Sequence, residues 1–293
     1  MTENSPDGTS LPRVGKELAP PELLNVILWL SCLLMLVASD KSVYLATIAI
    51  LAALLSWLFP SLIRDPRLWL AAGILQVVRN VMVWTRLDDH IAVANYWSFA
   101  LALSLASPRI LSVVRGNARW ILALVFLFAT GWKATSAEYV TGAFFEYTLL
   151  LDDRFLSLAR WVGGVPTESL AENYRQMALL RDGALPGFEF VARSTDQAHR
   201  LAQFLTWWTV IIEGAVTATF LVACLGWITP VRNWLMVLFA ATTYVPVPVT
   251  GFCAVLMVLG FAQCQPNERR SRWAYGGVFF AALLWTPIWH LLH

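Results

Sequence analysis

Few side chains in this sequence are suited to proton chemistry, and those few sit in apolar surroundings. Lys133 closes the apolar run ILALVFLFATGW and is one of three lysines in the chain. Held in a low-dielectric interior, a lysine amine is more easily left neutral, and a neutral amine is a base. The alternative is that Lys133 snorkels to an interface and does no chemistry. Glu213 lies near the middle of another apolar stretch, FLTWWTVIIEGAVTATFLVA (204–223). An acid there needs a partner or a proton, and Lys133 or Arg79 would serve as the partner. The same burial suits a helix-to-helix ion pair with no catalytic task. Arg79 and Asn80 form a third polar spot; an arginine there keeps its charge and must meet an acid or carbonyls. Asp88, Asp89 and His90 open a further apolar run, with Asn95 following at helical spacing.

Other chemistries lack their signatures. Cys32, Cys224, Cys253 and Cys264 show no CxxC spacing and read as reduced structural thiols. His199, His290 and His293 form no HExxH, so no metal site is expected. The glycines make no phosphate loop, and no GxSxG nucleophile elbow occurs. Basic residues form no stripe that would suit nucleic acid.

The elements that must position these groups are apolar helices. Hydrophobic residues make up 58% of the 293-residue chain and charged residues 14%, where a soluble domain carries about 25% charged residues. That balance makes the lipid bilayer the chain's first partner. Apolar runs at 23–39, 43–60, 68–85, 91–107, 118–133, 203–229 and 273–291 are each near the roughly 20 residues a span requires. Between Trp234 and Cys264 the run is too long for one span and is broken by Pro246 and Pro248, which predicts two short or re-entrant helices. The expected fold is therefore all-α: a polytopic bundle of about eight or nine spans forming a single transmembrane domain over 21–293. Residues 1–20 read as a polar tail without a cleavable signal. Many of the 15 tryptophans fall near predicted span ends, where indoles anchor at headgroups.

Arginine placement orients the bundle. An inside N-terminus puts Arg13, Lys16, Arg64, Arg67, Arg109, Arg115, Arg119, Arg232, Arg269, Arg270 and Arg272 on the cytoplasmic side and leaves Lys41 and Arg86 in the opposite short loops. One long loop, 136–200, then lies outside. Its AFFEYTLLLDDRFLSLARW portion suits interfacial helices, and PTESLAENYRQMALLRDG reads as an amphipathic helix ending at Gly183.

Two of these segments carry a family likeness. LDDHIAVANYWSFALAL (87–103) resembles the polar histidine turn of the horizontally transferred transmembrane (HTTM) domain family, which is related to the membrane portion of vitamin K-dependent gamma-carboxylase. ARWILALVFLFATGWKATSAEYVTGAFFEY (118–147) is similar to that family's lysine segment, with Gly131, Lys133, Tyr139 and Gly142 at the matching positions. Glu213 falls at the family's membrane acid, and Thr250, Gly251 and Phe252 resemble a later turn. Together these likenesses span most of 20–265. The resemblance implies a bacterial cytoplasmic membrane protein in which Lys133 is a base for a reduced quinone-type molecule, with His90 and Glu213 tuning it. Its activity would then be that of an epoxidase- or carboxylase-like lyase or an oxidoreductase. Three departures narrow the transfer: Tyr139 stands where the family has Trp, FAATTYVPVP lacks an expected histidine, and no large substrate domain follows His293, so protein carboxylation is not expected.

Two other readings of the residues stay open. The 136–200 loop would suit a non-catalytic partner in export, maturation or immunity. Arg79, Glu213 and the proline-broken hairpin would suit a transporter with a midplane site.

Overall fold

The computed structural model describes residues 20–38, 43–82, 88–181, 190–247 and 249–292. The polar tail with Arg13 and Lys16 lies outside the described residues, as do Lys41, Trp84, Arg86, Gly183, Pro248 and His293. The described chain is all-α: α1 (Pro20–Ala38), α2 (Val43–Leu58), α3 (Pro66–Met82), α4 (Asp89–Leu105), α5 (Ile110–Thr135), α6 (Ala137–Val140), α7 (Ala143–Leu151), α8 (Leu156–Trp161), α9 (Thr167–Arg181), α10 (Asp196–Cys224), α11 (Val231–Tyr244), α12 (Thr250–Gln263) and α13 (Arg269–Leu292).

Three of these helices, within Pro21–Ala38, Ile110–Thr135 and Asp196–Cys224, are long and apolar enough to cross a membrane. At 1.5 Å per residue the 26 residues of α5 and the 29 of α10 reach about 40 Å. The sequence reading began the α5 run at 118, but the helix starts eight residues earlier and takes Arg115 and Arg119 into its first turns. The stretch after Trp234 is split into α11, ending at Tyr244, and α12, starting at Thr250, each 14 residues long.

The exterior is apolar as well as the core. Trp57 is 72% exposed, Met82 80% and Phe128 71%, within a surface that also presents Leu54, Leu103, Phe204 and Ile211. Soluble monomers seldom expose apolar area on that scale. Ser31, Asn95, Ser98, Ser104, Thr217, Arg232 and Gln263 are buried instead. The helix hydroxyls among them turn back on their own backbone: Ser31 Oγ donates to the Ile27 carbonyl at 2.8 Å, Ser98 to Ala94 at 3.1 Å and Ser104 to Ala100 at 2.6 Å. Such bonds satisfy polar groups without water.

Polar contacts between helices give the direction of the bundle. Arg64 Nε donates to Asn25 Oδ1 at 2.9 Å, Trp97 Nε1 to Ser31 Oγ at 2.9 Å, Asn117 Nδ2 to Ser104 Oγ at 3.1 Å, and Arg119 Nη1 to the Ala223 carbonyl at 3.4 Å. The start of α5 thus lies beside the end of α10, and the pair runs antiparallel. At the centre stands α12, packed against α1, α4, α5, α11 and α13 and buried at every position from Cys253 to Gln263. Close approach is paid for with glycine: a Cβ on Gly260 would come within 2.4 Å of the Tyr275 ring.

Between α5 and α10 the chain is largely helical. Tyr139, Phe145, Leu149, Leu150, Ala159, Val165 and Leu170 form a second hydrophobic cluster with Ala198 and Ala202 of α10. Buried Asn173 clasps the strand of chain entering α10, donating to the Arg193 carbonyl at 3.0 Å and accepting from its N–H at 2.8 Å. Thr195 caps α10, its hydroxyl accepting from Ala198 N–H at 3.1 Å.

Replacing Gly260 with Val should force α12 and α13 apart at a cost of about 1–3 kcal/mol. Gly131, which has no neighbour within 4 Å of a built Cβ, should accept Ala with no loss. Thermal unfolding of the two variants in one detergent compares them; equal melting temperatures would contradict the tight α12–α13 contact.

Candidate functional site

The centre of the site is where the last turns of α5 meet the middle of α10. Lys133 sits on the face of α5 turned toward α10, and one turn earlier Thr130 Oγ1 lies 3.3 Å from Thr217 Oγ1. That register delivers Lys133 Nζ onto Glu213 Oε1, to which it donates a hydrogen bond within an ion pair. The lysine side chain is 17% exposed and the glutamate 6%. Lys133 therefore turns toward α10 and into the bundle. Glu213 Oε2 is buried and has no hydrogen-bond partner among the described residues.

Tyr139 closes the site from above. Buried in the second cluster, its ring lies 5.5 Å from Lys133 Nζ, within cation–π range. Trp132 meets the same ring edge-on at 6.0 Å and Phe144 stacks on it at 5.1 Å. Thr209 of α10 lies close to the Tyr139 hydroxyl. Burial first, then the nearby Glu213 charge, raises its phenol above the ordinary value, so it meets Lys133 as a neutral ring. Gly142 holds this arrangement: it caps α7 with φ at 84°, and a Cβ there would come within 3.3 Å of the Gln203 side chain on α10.

The remaining predicted residues do not all join this centre. His90, half-buried in the first turn of α4, packs on α12: a Cβ on Gly251 would fall 2.4 Å from its Nε2. This contact joins two segments, 87–103 and 250–252, that are far apart in sequence. Asp89 is exposed beside it. Arg79 and Asn80 lie on α3, which packs chiefly against α4, and Glu213 takes its ion pair from Lys133. Arg79 Nη1, Asn80 Oδ1 and Asn95 Oδ1 are buried without hydrogen-bond partners among the described residues. One turn before Asn80, Gln76 donates to Met35 Sδ at 2.6 Å and so ties α3 to α1.

Three contributors escaped sequence reasoning. Thr209 and Thr217 look like ordinary helix threonines until the α5–α10 register is known. Tyr244, buried at the end of α11, comes within electrostatic reach of both Glu213 and Cys253. Its position just before the proline-broken turn was the available signal.

A second ionic contact stands at the outer edge of the α7–α10 junction. Glu146 Oε2 lies 2.9 Å from His199 Nδ1, and Ser194 Oγ donates to Glu146 Oε1 at 2.7 Å. Partial burial works against the carboxylate, yet these two hydrogen bonds and the His199 charge outweigh it and hold Glu146 below its ordinary range.

Compared with protein-family models, curated proteins and solved structures, the chain matches none of them.

Removing one member of a buried pair leaves the other uncompensated, at a cost of about 3–5 kcal/mol. Lys133→Ala should destabilise by that order, whereas Lys133→Met with Glu213→Leu should recover most of the loss; a double variant as unstable as the single one would refute the pairing. At the outer junction, a lowered carboxyl pKa contributes stability above the ordinary value of 4.5 and loses it as pH falls through the folded value. Hydrogen exchange in α7 and the first turns of α10 should accelerate on acidification through that window, and Glu146→Gln should abolish the dependence.

Proposed function

We propose that the protein is a multi-pass membrane enzyme in which the Lys133–Glu213 pair takes a proton from a hydrophobic O–H acid of the quinol class. The carrying observation is an inward-facing lysine bonded to a buried carboxylate whose second oxygen lacks a hydrogen-bond partner among the described residues. Ammonium–carboxylate and amine–carboxylic acid forms of such a pair differ only in which atom holds the shared proton. A dry site narrows the gap between them, because separated charges lose their hydration. With the proton on Glu213, the Lys133 amine can accept the substrate hydroxyl proton: the O–H bond breaks, an N–H bond forms, and the resulting oxyanion faces an ammonium. Tyr139 and Trp132 supply aromatic walls for a flat ring system, and His90 tunes the neighbouring end of α12. The likeness to the HTTM and vitamin K-dependent carboxylase-like proteins supports a quinone-type molecule here.

Membrane placement follows from the same features. Seven crossings by α1, α2, α3, α4, α5, α10 and α13, with α11 and α12 as a re-entrant hairpin, account for the apolar exterior. The N-terminus then lies on the cytoplasmic side of a bacterial inner membrane and α6–α9 on the opposite face.

A second reading has its own observation. Trp161 is 80% exposed, and Phe144 and Tyr147 are exposed beside the second cluster. That surface suits recognition of another protein in export, maturation or immunity, and it predicts that Trp161→Ala abolishes function while Lys133→Met/Glu213→Leu is tolerated.

The deciding experiment uses the full chain in lipid nanodiscs supplied with a naphthoquinol and oxygen. The deprotonated naphthoquinol passes two electrons to oxygen, giving naphthoquinone and hydrogen peroxide, so the wild type should show quinol-dependent oxygen uptake above that of empty nanodiscs, and Lys133→Met/Glu213→Leu should lose roughly 100-fold or more, as removal of a general base does. Uptake that survives in the double variant, or no binding of the quinol to the wild type, would overturn the reading.

A further inference from the structure

The first turns of α3 and the last turns of α4 leave a groove between them. Its volume is about 550 Å³, within the roughly 300–1,000 Å³ of small-molecule sites. Leu70 walls it on the α3 side, and Phe99, Ala102, Leu103 and Ala106 on the α4 side. The short side chains of Ala102 and Ala106 keep the space open. Phe99 ends it by resting on Gly73, where a Cβ would come within 2.9 Å of the Phe99 ring. Leu70, Ile74 and Leu103 are exposed around the groove, so it opens onto the apolar exterior of the bundle.

One charged residue borders this groove. Arg67, exposed in the first turn of α3, gives the wall only its aliphatic stem, which leaves the guanidinium at the rim. The neighbouring acid, Asp65, is used as a cap: its Oδ1 accepts the Arg67 N–H at 2.8 Å. No ion pair joins the Arg67 guanidinium to any carboxylate among the described residues. Arg64 adds nothing here, because its guanidinium is spent on Asn25 Oδ1 and the Pro21 carbonyl. From Arg67 to Gly73 the groove follows α3 for about 9 Å, less than two helical turns. That is too short a contact to hold a helix of a second copy, but it fits the upper part of an acyl chain. In the membrane placement given above, Arg67 stands at the cytoplasmic headgroup level and the groove leads from it into the hydrocarbon. A soluble anion would use Arg67 alone; an anionic phospholipid would use the cation and the groove together.

We propose that this groove holds one anionic phospholipid of the cytoplasmic leaflet, its phosphate on Arg67 and one acyl chain between Leu70 and Leu103. The site rests on the membrane placement above but not on the Lys133 chemistry.

The test measures retention of phosphatidylglycerol by the full chain after transfer into detergent from nanodiscs of phosphatidylcholine with phosphatidylglycerol as the minor lipid, read by native mass spectrometry. Wild type, Arg67→Gln, Ala106→Phe and the control Arg270→Gln are compared. All three positions are exposed, so the variants should keep the wild-type melting temperature. Retention should fall roughly fivefold in Arg67→Gln, the effect of one basic residue at an anionic surface. It should fall at least as far in Ala106→Phe, whose ring would occupy the groove, and stay unchanged in Arg270→Gln, a basic residue placed at the same membrane face. Wild-type retention in either groove variant would overturn the proposal. An equal loss in Arg270→Gln would do so too, since diffuse surface charge would then explain the retention. Dimers that disappear in Ala106→Phe would assign the groove to a second copy instead. Displacement of the lipid by chainless glycerophosphoglycerol as readily as by lysophosphatidylglycerol would reduce the site to an anion contact and also sink it. No quinol is present, so these results stand apart from the fate of the enzyme reading, whereas a chain that never enters nanodiscs would overturn the membrane placement and this site with it.

Discussion

The bundle depends on one constraint: a polar or charged group buried away from water must find its partner inside the protein. Unpaired, such a group costs more than most packing contacts return. Lys133 and Glu213 obey the constraint by meeting each other, the helix hydroxyls by bonding their own carbonyls, and Arg232 by engaging Gln263, Glu268 and the Thr229 carbonyl at once. Because α5 must present Lys133 to α10 while its other end lays Arg119 along Ala223, the relative register of these two helices is held at both ends. The outer cluster then builds on that fixed pair, since α10 supplies its Ala198 and Ala202.

The two ends of α12 have opposite electrical character, and the bundle uses both. Its C-terminal residue Gln263 accepts from Arg232, placing a guanidinium at the negative end of the helix dipole. Its N-terminal turn lies against His90 and near Tyr244, which in turn senses Glu213. A helix of 14 residues, about 21 Å long, does not reach across a bilayer alone. It is instead buried at every position from Cys253 to Gln263, packed against five other helices.

The Lys133 environment also shows why a buried pair is ambiguous by itself. The same ion pair that could shuttle a proton ties two helices together, and only the orphaned Glu213 oxygen and the aromatic walls distinguish the two tasks. Tyr139 belongs to both: it is core to the outer cluster and the ceiling of the site. Any movement of α6 and α7 would therefore be felt at Lys133.

Composition and periodicity alone determined the helical class, the apolar runs and the break before α12, because hydrophobic helices and prolines act locally. The candidate groups Lys133 and Glu213 were also legible, since an ionisable residue inside an apolar run is conspicuous wherever it occurs. Their pairing with each other, and not of Glu213 with Arg79, was not: both partners were chemically equivalent options 80 and 134 positions away, and only helix register chooses between them. Register likewise brought Thr209 close to Tyr139 and Tyr244 within electrostatic reach of Glu213, set His90 on Gly251, and buried Arg232, which reads as an ordinary loop arginine. Those choices follow from how side chains interlock between helices distant in sequence, a property that no single helix carries.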